Sequence, residues 1–275
     1  MTSLEQGREQ ARTRSTAFPV FAAWLIHAYT ATGAAIAMLT VIAVIEGDVV
    51  RALWLGLAAM VVDGTDGMMA RHLQVKRWIP WFDGALLDNM VDYLTYAFTP
   101  MVLLWSAGYL GDGSGATLLA VMPLLASAYQ FCRVDAKTED HLFLGFPSYW
   151  NILALYVVVL DLGTTTVAVL LTVCAVLVFV PVGYVYPSRT DTLRGLTLAL
   201  TTVWLVSYAV LIHQLPSPSP VWVTISLSYL VYYVALSLYL TARRRRANVT
   251  GTSSYAQEHP VLNTQAAVDT EAPER

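Results

Sequence analysis

VVDGTDGMMARH at residues 61–72 and FDGALLDNMVDYLTY at residues 82–96 decide how this chain is read. Each belongs to a run apolar enough to lie in a membrane, yet together they carry Asp63, Asp66, Asp88 and Asp92. A carboxylate inside a spanning segment is expensive and is a functional residue by default. On a helix, Asp63, Asp66, Gly67, Ala70 and Arg71 form one stripe, and Gly84, Asp88 and Asp92 form another. A short connection predicts that the two helices are antiparallel neighbours with facing stripes. Carboxylates so placed repel one another unless cations neutralise them, and hard divalent ions with oxygen ligands do this well. Two such ions clamp phosphates and stabilise a displacement at phosphorus. Gly67 and Ala70 leave room for a ligand near the backbone, and the Arg71 guanidinium forks onto phosphate.

Two other readings compete. A buried ion-pair network would set one arginine against four aspartates and leave three charges unpaired in a low-dielectric site. A cation-coupled transporter explains intramembrane carboxylates but not the Gly/Ala/Arg pattern on the same turns.

The rest of the chain fits a membrane setting. Of its 275 residues 56% are hydrophobic and 13% charged, against ~45–50% and ~25% in soluble domains. This excludes a secreted disulfide scaffold, a disordered chain and a soluble nucleic-acid binder. Cys132 and Cys174 both lie in apolar runs and read as small hydrophobes. The expected architecture is an all-α polytopic bundle of about eight transmembrane helices. The spans read as 21–45, 50–71, 84–109, 115–136, 147–162, 165–185, 193–213 and 220–241. The fifth and sixth are the least distinct, and a kinked or re-entrant reading of them stays open. Residues 1–19 read as a cytoplasmic segment that could form an interfacial helix, 20–242 as the membrane domain, and 243–275 as a basic, then polar, disordered tail. With both termini inside, Arg51 alone among the 16 Lys and Arg falls on an outer connection, as the positive-inside rule requires.

The motif Asp63-Gly-Thr-Asp66-Gly67-Met-Met-Ala70-Arg71, followed by Gly84-x-x-x-Asp88-x-x-x-Asp92, resembles the signature of the CDP-alcohol phosphotransferases. These are integral membrane enzymes that pass a phospholipid-type group from a CDP-activated donor to an alcohol. The connection from His72 to Asp83 is longer than the usual pattern of that family. In this it resembles the bacterial phosphatidylcholine synthase branch, as do the GFPSYWN run at 145–151 and the YPSR run at 186–189. The resemblance implies CDP-diacylglycerol and choline as substrates and phosphatidylcholine and CMP as products. It also implies a cofactor of Mn2+ or Mg2+ ions, two in number, in an enzyme of the bacterial inner membrane whose site faces the cytoplasm among membrane lipids. It involves no nucleic acid and leaves a homodimer open. Inositol, serine or glycerol phosphate remain alternative acceptors.

By position, the resemblance assigns Asp63, Asp66, Asp88 and Asp92 to the metals, with Asp92 also accepting the proton of the acceptor hydroxyl. Gly67, Ala70, Arg71 and Gly84 would shape or contact the CDP moiety, and Arg189 would bind phosphate. Asp83 lies off the stripe and is not expected to bind metal. Asn89 and Arg133 read equally well as site residues or as structural ones, and His27 reads as a contact between helices. Asp135, Glu139 and Asp140 read as a solvated loop end. Choline's quaternary ammonium calls for aromatic faces, and Tyr96, Tyr149, Trp150 and Tyr186 are the expected ones, although aromatic residues also gather at any membrane interface.

Overall fold

The computed structural model describes residues 3–138, 141–187 and 189–258, with side chains from 18 to 246. In chain order the elements are α1 (Ser3–Ile45), α2 (Val49–His72), α3 (Val75–Trp78), α4 (Gly84–Asp92), a π-helical segment (Tyr93–Phe98) and α5 (Thr99–Ser106). There follow α6 (Gly113–Cys132), β1 (Leu142–Leu144), α7 (Trp150–Val159), α8 (Thr164–Phe179), β2 (Gly183–Val185), α9 (Arg194–His213) and α10 (Pro220–Glu258). The chain is a helical membrane protein. Among the described residues, four helical stretches are long and apolar enough to cross a bilayer on their own: Phe18–Ile45, Gly113–Cys132, Arg194–His213 and Pro220–Arg246. The charges that make α2 interesting also hold down its hydropathy. At ~1.5 Å per residue, the ten residues of α7 span about half of a ~30 Å hydrocarbon layer.

Several boundaries differ from those read off the sequence. The first helix begins at Ser3 and runs without a break into the apolar stretch. The last helix continues through Arg243–Arg246 to Glu258, where composition predicted no order; residues 259–275 lie outside the described residues. The sixth apolar run, expected to be helical to 185, stops at Phe179, because Val180 is extended ahead of Pro181. The remainder of that run forms β2, which pairs antiparallel with β1 in the register Leu142 with Val185, Phe143 with Tyr184 and Leu144 with Gly183.

This small sheet needs partners for its outer edge, and α10 supplies them with side chains. Gly183 N donates to Thr241 Oγ1 (2.8 Å), Val185 N donates to Ser237 Oγ (3.1 Å), and the Tyr233 hydroxyl donates to the Val185 carbonyl (3.0 Å). Hydroxyls on a spanning helix thus satisfy backbone groups that apolar surroundings would leave orphaned. On the other side, Gly145 N donates to Val182 O and Phe146 N donates to Leu177 O, which uses a free carbonyl at the end of α8.

The helices themselves are joined by similar polar contacts. Fully buried Trp150 donates to Ser127 Oγ (2.7 Å), and Trp204 donates to the Tyr156 hydroxyl (3.0 Å). Hydrogen bonds of this kind and small residues at crossings replace the hydrophobic drive that lipid surroundings remove. At the crossing of α1 and α4, any side-chain carbon on Gly33 would collide with Val91 Cγ1. The α2 and α4 stripes meet at their aspartates, while most of the backbone packing of both helices is against α1. The connection between them folds into α3, and α1 lies against both.

Gly145 provides a test of the sheet. It sits at φ +83°, and a Cβ there would meet the Val178 carbonyl oxygen head-on. Gly145→Ala should destabilise the detergent-purified protein by at least ~1–3 kcal/mol, the usual range for a strained backbone position. Gly115→Ala, with open space around the new methyl, should not lower the thermal midpoint. Equal midpoints for the two variants would contradict the packing described.

Candidate active site: a carboxylate cavity

Asp63 on α2 and Asp88 and Asp92 on α4 converge on one cavity of about 310 Å3. One carboxylate oxygen from each lies within 4.8 Å of the other two. The one-turn spacing of Asp88 and Asp92 stacks them on a single face, and α2 brings Asp63 up to that face. The helix carrying them starts cleanly because Asp83 caps it, accepting from Ala85 N and Leu86 N at 3.0 Å each. Asp83 is thereby employed as a cap, in line with its position off the stripe.

The fourth carboxylate is placed differently. Asp66 is 4% exposed and accepts a hydrogen bond from Thr30 Oγ1 on α1 (2.7 Å). It is not one of the three gathered oxygens. Arg71 is exposed and makes no ion pair with any of the four aspartates. Its Nη1 lies 3.2 Å from where a Cβ on Gly67 would be. The ion-pair network considered for these residues is therefore absent among the described residues. Ala70 packs with Ala23, Ile26, Val75 and Ile79 rather than lining the cavity. Gly84 also faces away from it: the His27 ring of α1 fills the space its side chain would need, with Cε1 2.5 Å from the position of a Cβ. The contact expected of His27 is thus with Gly84 and with Phe82, whose ring centroid lies 4.5 Å away.

Of the aromatic residues singled out for choline, Tyr96, Tyr149 and Tyr186 line the cavity. Trp150 does not. It is fully buried in the core, and its indole N–H is taken by Ser127, so this part of the aromatic expectation is corrected. Position on the helix explains it: Trp150 is the first residue of α7, and its neighbour Tyr149 points the other way. Tyr96 has a second task. Its hydroxyl donates to Asp63 Oδ2 at 2.6 Å, and its ring is 6.0 Å from that of Tyr149. The π-helical segment that follows Asp92 carries Tyr96, and such segments often mark functional sites.

The opposite wall comes from the chain between α6 and α7. Gln130, Arg133, Lys137 and Phe143 line it. Arg133 is held by Asp135 in a two-pronged ion pair, Nε to Oδ1 at 2.8 Å and Nη2 to Oδ2 at 2.7 Å. Asn89 spans the cavity wall to donate to the Phe131 carbonyl (3.2 Å). Arg189 lies outside the lining, with its guanidinium over the Tyr186 ring at 5.5 Å. Lys137 and Phe143 went unnoticed in the sequence, where DAKTED reads as a solvated loop. Glu139 and Asp140 of that loop, and Ser188 of the YPSR run, lie outside the described residues.

Three carboxylates without a hydrogen-bonded cation make an all-oxygen donor set that suits a hard divalent ion. No family model matches the chain. Curated relatives do. The phosphatidylcholine synthase of Legionella pneumophila is 41% identical over 228 residues, covering 80% of this chain and 89% of the relative. That of Borreliella burgdorferi is 34% identical, covering 81% and 96%, and that of Pseudomonas aeruginosa is 38% identical, covering 80% and 92%. The chain belongs to the phosphatidylcholine synthase family. The aligned share of the chain is large enough to take in a catalytic core as well as its membrane scaffold.

The Tyr96–Asp63 hydrogen bond separates two roles for that tyrosine. If the hydroxyl orients Asp63, Tyr96→Phe should weaken divalent-cation binding by the purified protein on the order of tenfold, as losses of such supporting contacts do, with little change in choline requirement. If the ring is a cation seat, Phe should be tolerated and only Tyr96→Leu should raise the choline requirement.

Proposed function

We propose that this protein transfers the phosphatidyl group from CDP-diacylglycerol to choline, with release of CMP. The observation that carries the reading is the convergence of Asp63, Asp88 and Asp92 on an aromatic-walled cavity in a chain whose relatives are named phosphatidylcholine synthase. Divalent ions, Mn2+ or Mg2+, held by these carboxylates with Asp66 behind them, would supply charge neutralisation and polarisation of the phosphoryl oxygens. Asp92 takes the proton from the choline hydroxyl as its oxygen bonds to the phosphorus that carries diacylglycerol. The bond from that phosphorus to the CMP oxygen breaks, and CMP leaves with the electron pair. Arg71 and Gly67, near the C-terminal end of α2, would contact the nucleotide portion. The lipid substrate enters from the bilayer, and choline and the nucleotide exchange with the cytoplasm. The arginine and lysine asymmetry supports this orientation, with eight crossings and both termini inside.

The aromatic composition of the wall favours a cationic acceptor such as choline over inositol, serine or glycerol phosphate, none of which is a net cation. Tyr149 and Tyr186 contribute aromatic rings to the lining, Arg133 is already paired with Asp135, and Lys137 is set against the Phe143 ring. Replacing a ring that holds a desolvated ammonium forfeits ~2 kcal/mol. Tyr149→Leu and Tyr186→Leu should therefore raise the choline concentration for half-maximal rate on the order of tenfold, at unchanged CDP-diacylglycerol requirement. Unaltered choline dependence in both variants would remove these residues from the acceptor site.

The reaction itself is tested by CMP release from purified protein in lipid–detergent micelles. Release should require CDP-diacylglycerol, a divalent cation and choline together. Asp63→Ala, Asp88→Ala and Asp92→Ala should each abolish it in protein that still inserts. Near-normal turnover by Asp88→Ala, or equal rates with inositol or serine in place of choline, would defeat the proposal.

A further inference from the structure

Lys137 carries a charge that nothing in the proposed chemistry has yet used. It stands in the cavity wall facing Asp63, Asp88 and Asp92. Its place is set by backbone pairing, not by a loose loop. Lys137 bridges to Phe143, Thr138 N donates to Leu142 O (2.9 Å), and Leu144 N donates to Ala136 O (2.9 Å), so residues 136–138 pair with β1 in the manner of a short hairpin. That hairpin is tied in turn to β2 and through it to α10.

The two cations of this wall differ in availability. The guanidinium of Arg133 is committed to Asp135 and also lies 3.4 Å from the Leu144 carbonyl. Lys137 forms no ion pair with any described residue, and its ammonium rests over the Phe143 ring, 5.8 Å from the centroid. A ring face at that distance is a weak hold for an exposed ammonium. A phosphate oxygen offers it a charge-assisted hydrogen bond, which is much stronger. The three carboxylates are out of ion-pair reach of Lys137, which leaves a gap between acidic and basic walls.

We infer that Lys137 is a phosphate-binding residue of this cavity, whose ammonium leaves the Phe143 ring to hold diphosphate oxygens of the nucleotide-activated substrate from the hairpin side. The inference rests on the proposed use of a CDP-activated donor but not on choline being the acceptor. The substrate class is a nucleoside diphosphate ester: a dianion long enough to meet the carboxylate side through metal and the hairpin side through lysine. Lysine suits this position because a compact ammonium on a flexible stem can cross the gap as the substrate arrives.

The test uses CDP, which carries the diphosphate without lipid or acceptor, titrated calorimetrically into the full-length purified protein with Mn2+ present. Lys137→Ala should weaken CDP binding about tenfold or more, and Lys137→Arg should stay within about threefold of the parent protein. Thermal midpoint and choline requirement should be unchanged in both. Wild-type affinity for CDP in Lys137→Ala would overturn the inference, as would an equal loss in the Ala and Arg variants. A shift in choline requirement without a shift in CDP affinity would overturn it too, because the cation would then face the acceptor. Parent protein that binds no CDP would overturn both this inference and the donor assignment. Transfer to an alcohol other than choline, with CDP affinity still lost in Lys137→Ala, would remove only the choline reading and support this one.

Discussion

Mutual repulsion among Asp63, Asp88 and Asp92 is the constraint around which the rest of the structure is organised. With oxygens within 4.8 Å, each charged pair opposes the fold by about 3 kcal/mol at an effective dielectric near ~20. Rigid packing must hold the three groups in place against that repulsion. Helix α1 provides much of that packing. It receives Val91 against Gly33, sets His27 against Gly84 and donates from Thr30 to Asp66. Tyr96 then fixes Asp63 directly.

The second constraint is polar satisfaction in an apolar setting. The described residues of the connections between α6 and α7 and between α8 and α9 are not helical, yet they stand beside long apolar helices. Several of their backbone groups find partners: β1 with β2, β2 with the hydroxyls of α10, and Gly145 and Phe146 with the end of α8 and the residues after it. Irregular backbone here lines the cavity and brings Phe143, Lys137 and Tyr186 to the site. The Phe143 and Tyr186 rings lie 4.6 Å apart and each carries a cation over it, Lys137 on one and Arg189 on the other. The sheet thus turns an otherwise featureless loop into an electrostatic counterpart of the acidic wall.

Much of this was legible in residues 61–96. Carboxylates at helical spacing in apolar runs can be read without coordinates, because periodicity is a local property and the expense of burying charge is general. The same reasoning placed Asp83 off the stripe and His27 at a contact between helices. It also located the helical runs, whose apolar composition allows few alternatives. Aromatic residues were harder. Tyr149 and Trp150 are adjacent and chemically alike, and a single peptide unit sends one to the cavity and the other into the core.

The sequence alone therefore determined the class of protein, the acidic motif and, through its relatives, the family, since each rests on composition or on spacing within one segment. Tertiary structure decided the rest. It separated Asp66 from the other three aspartates, packed Ala70 and Gly84 against neighbouring helices, set α1 against both of the expected hairpin partners and ended the sixth apolar run in a strand. It also raised Lys137 from a loop charge to a cavity residue. These outcomes depend on which surfaces meet across the fold, where hydrogen-bond satisfaction and close packing between distant segments select one arrangement among several that local spacing permits.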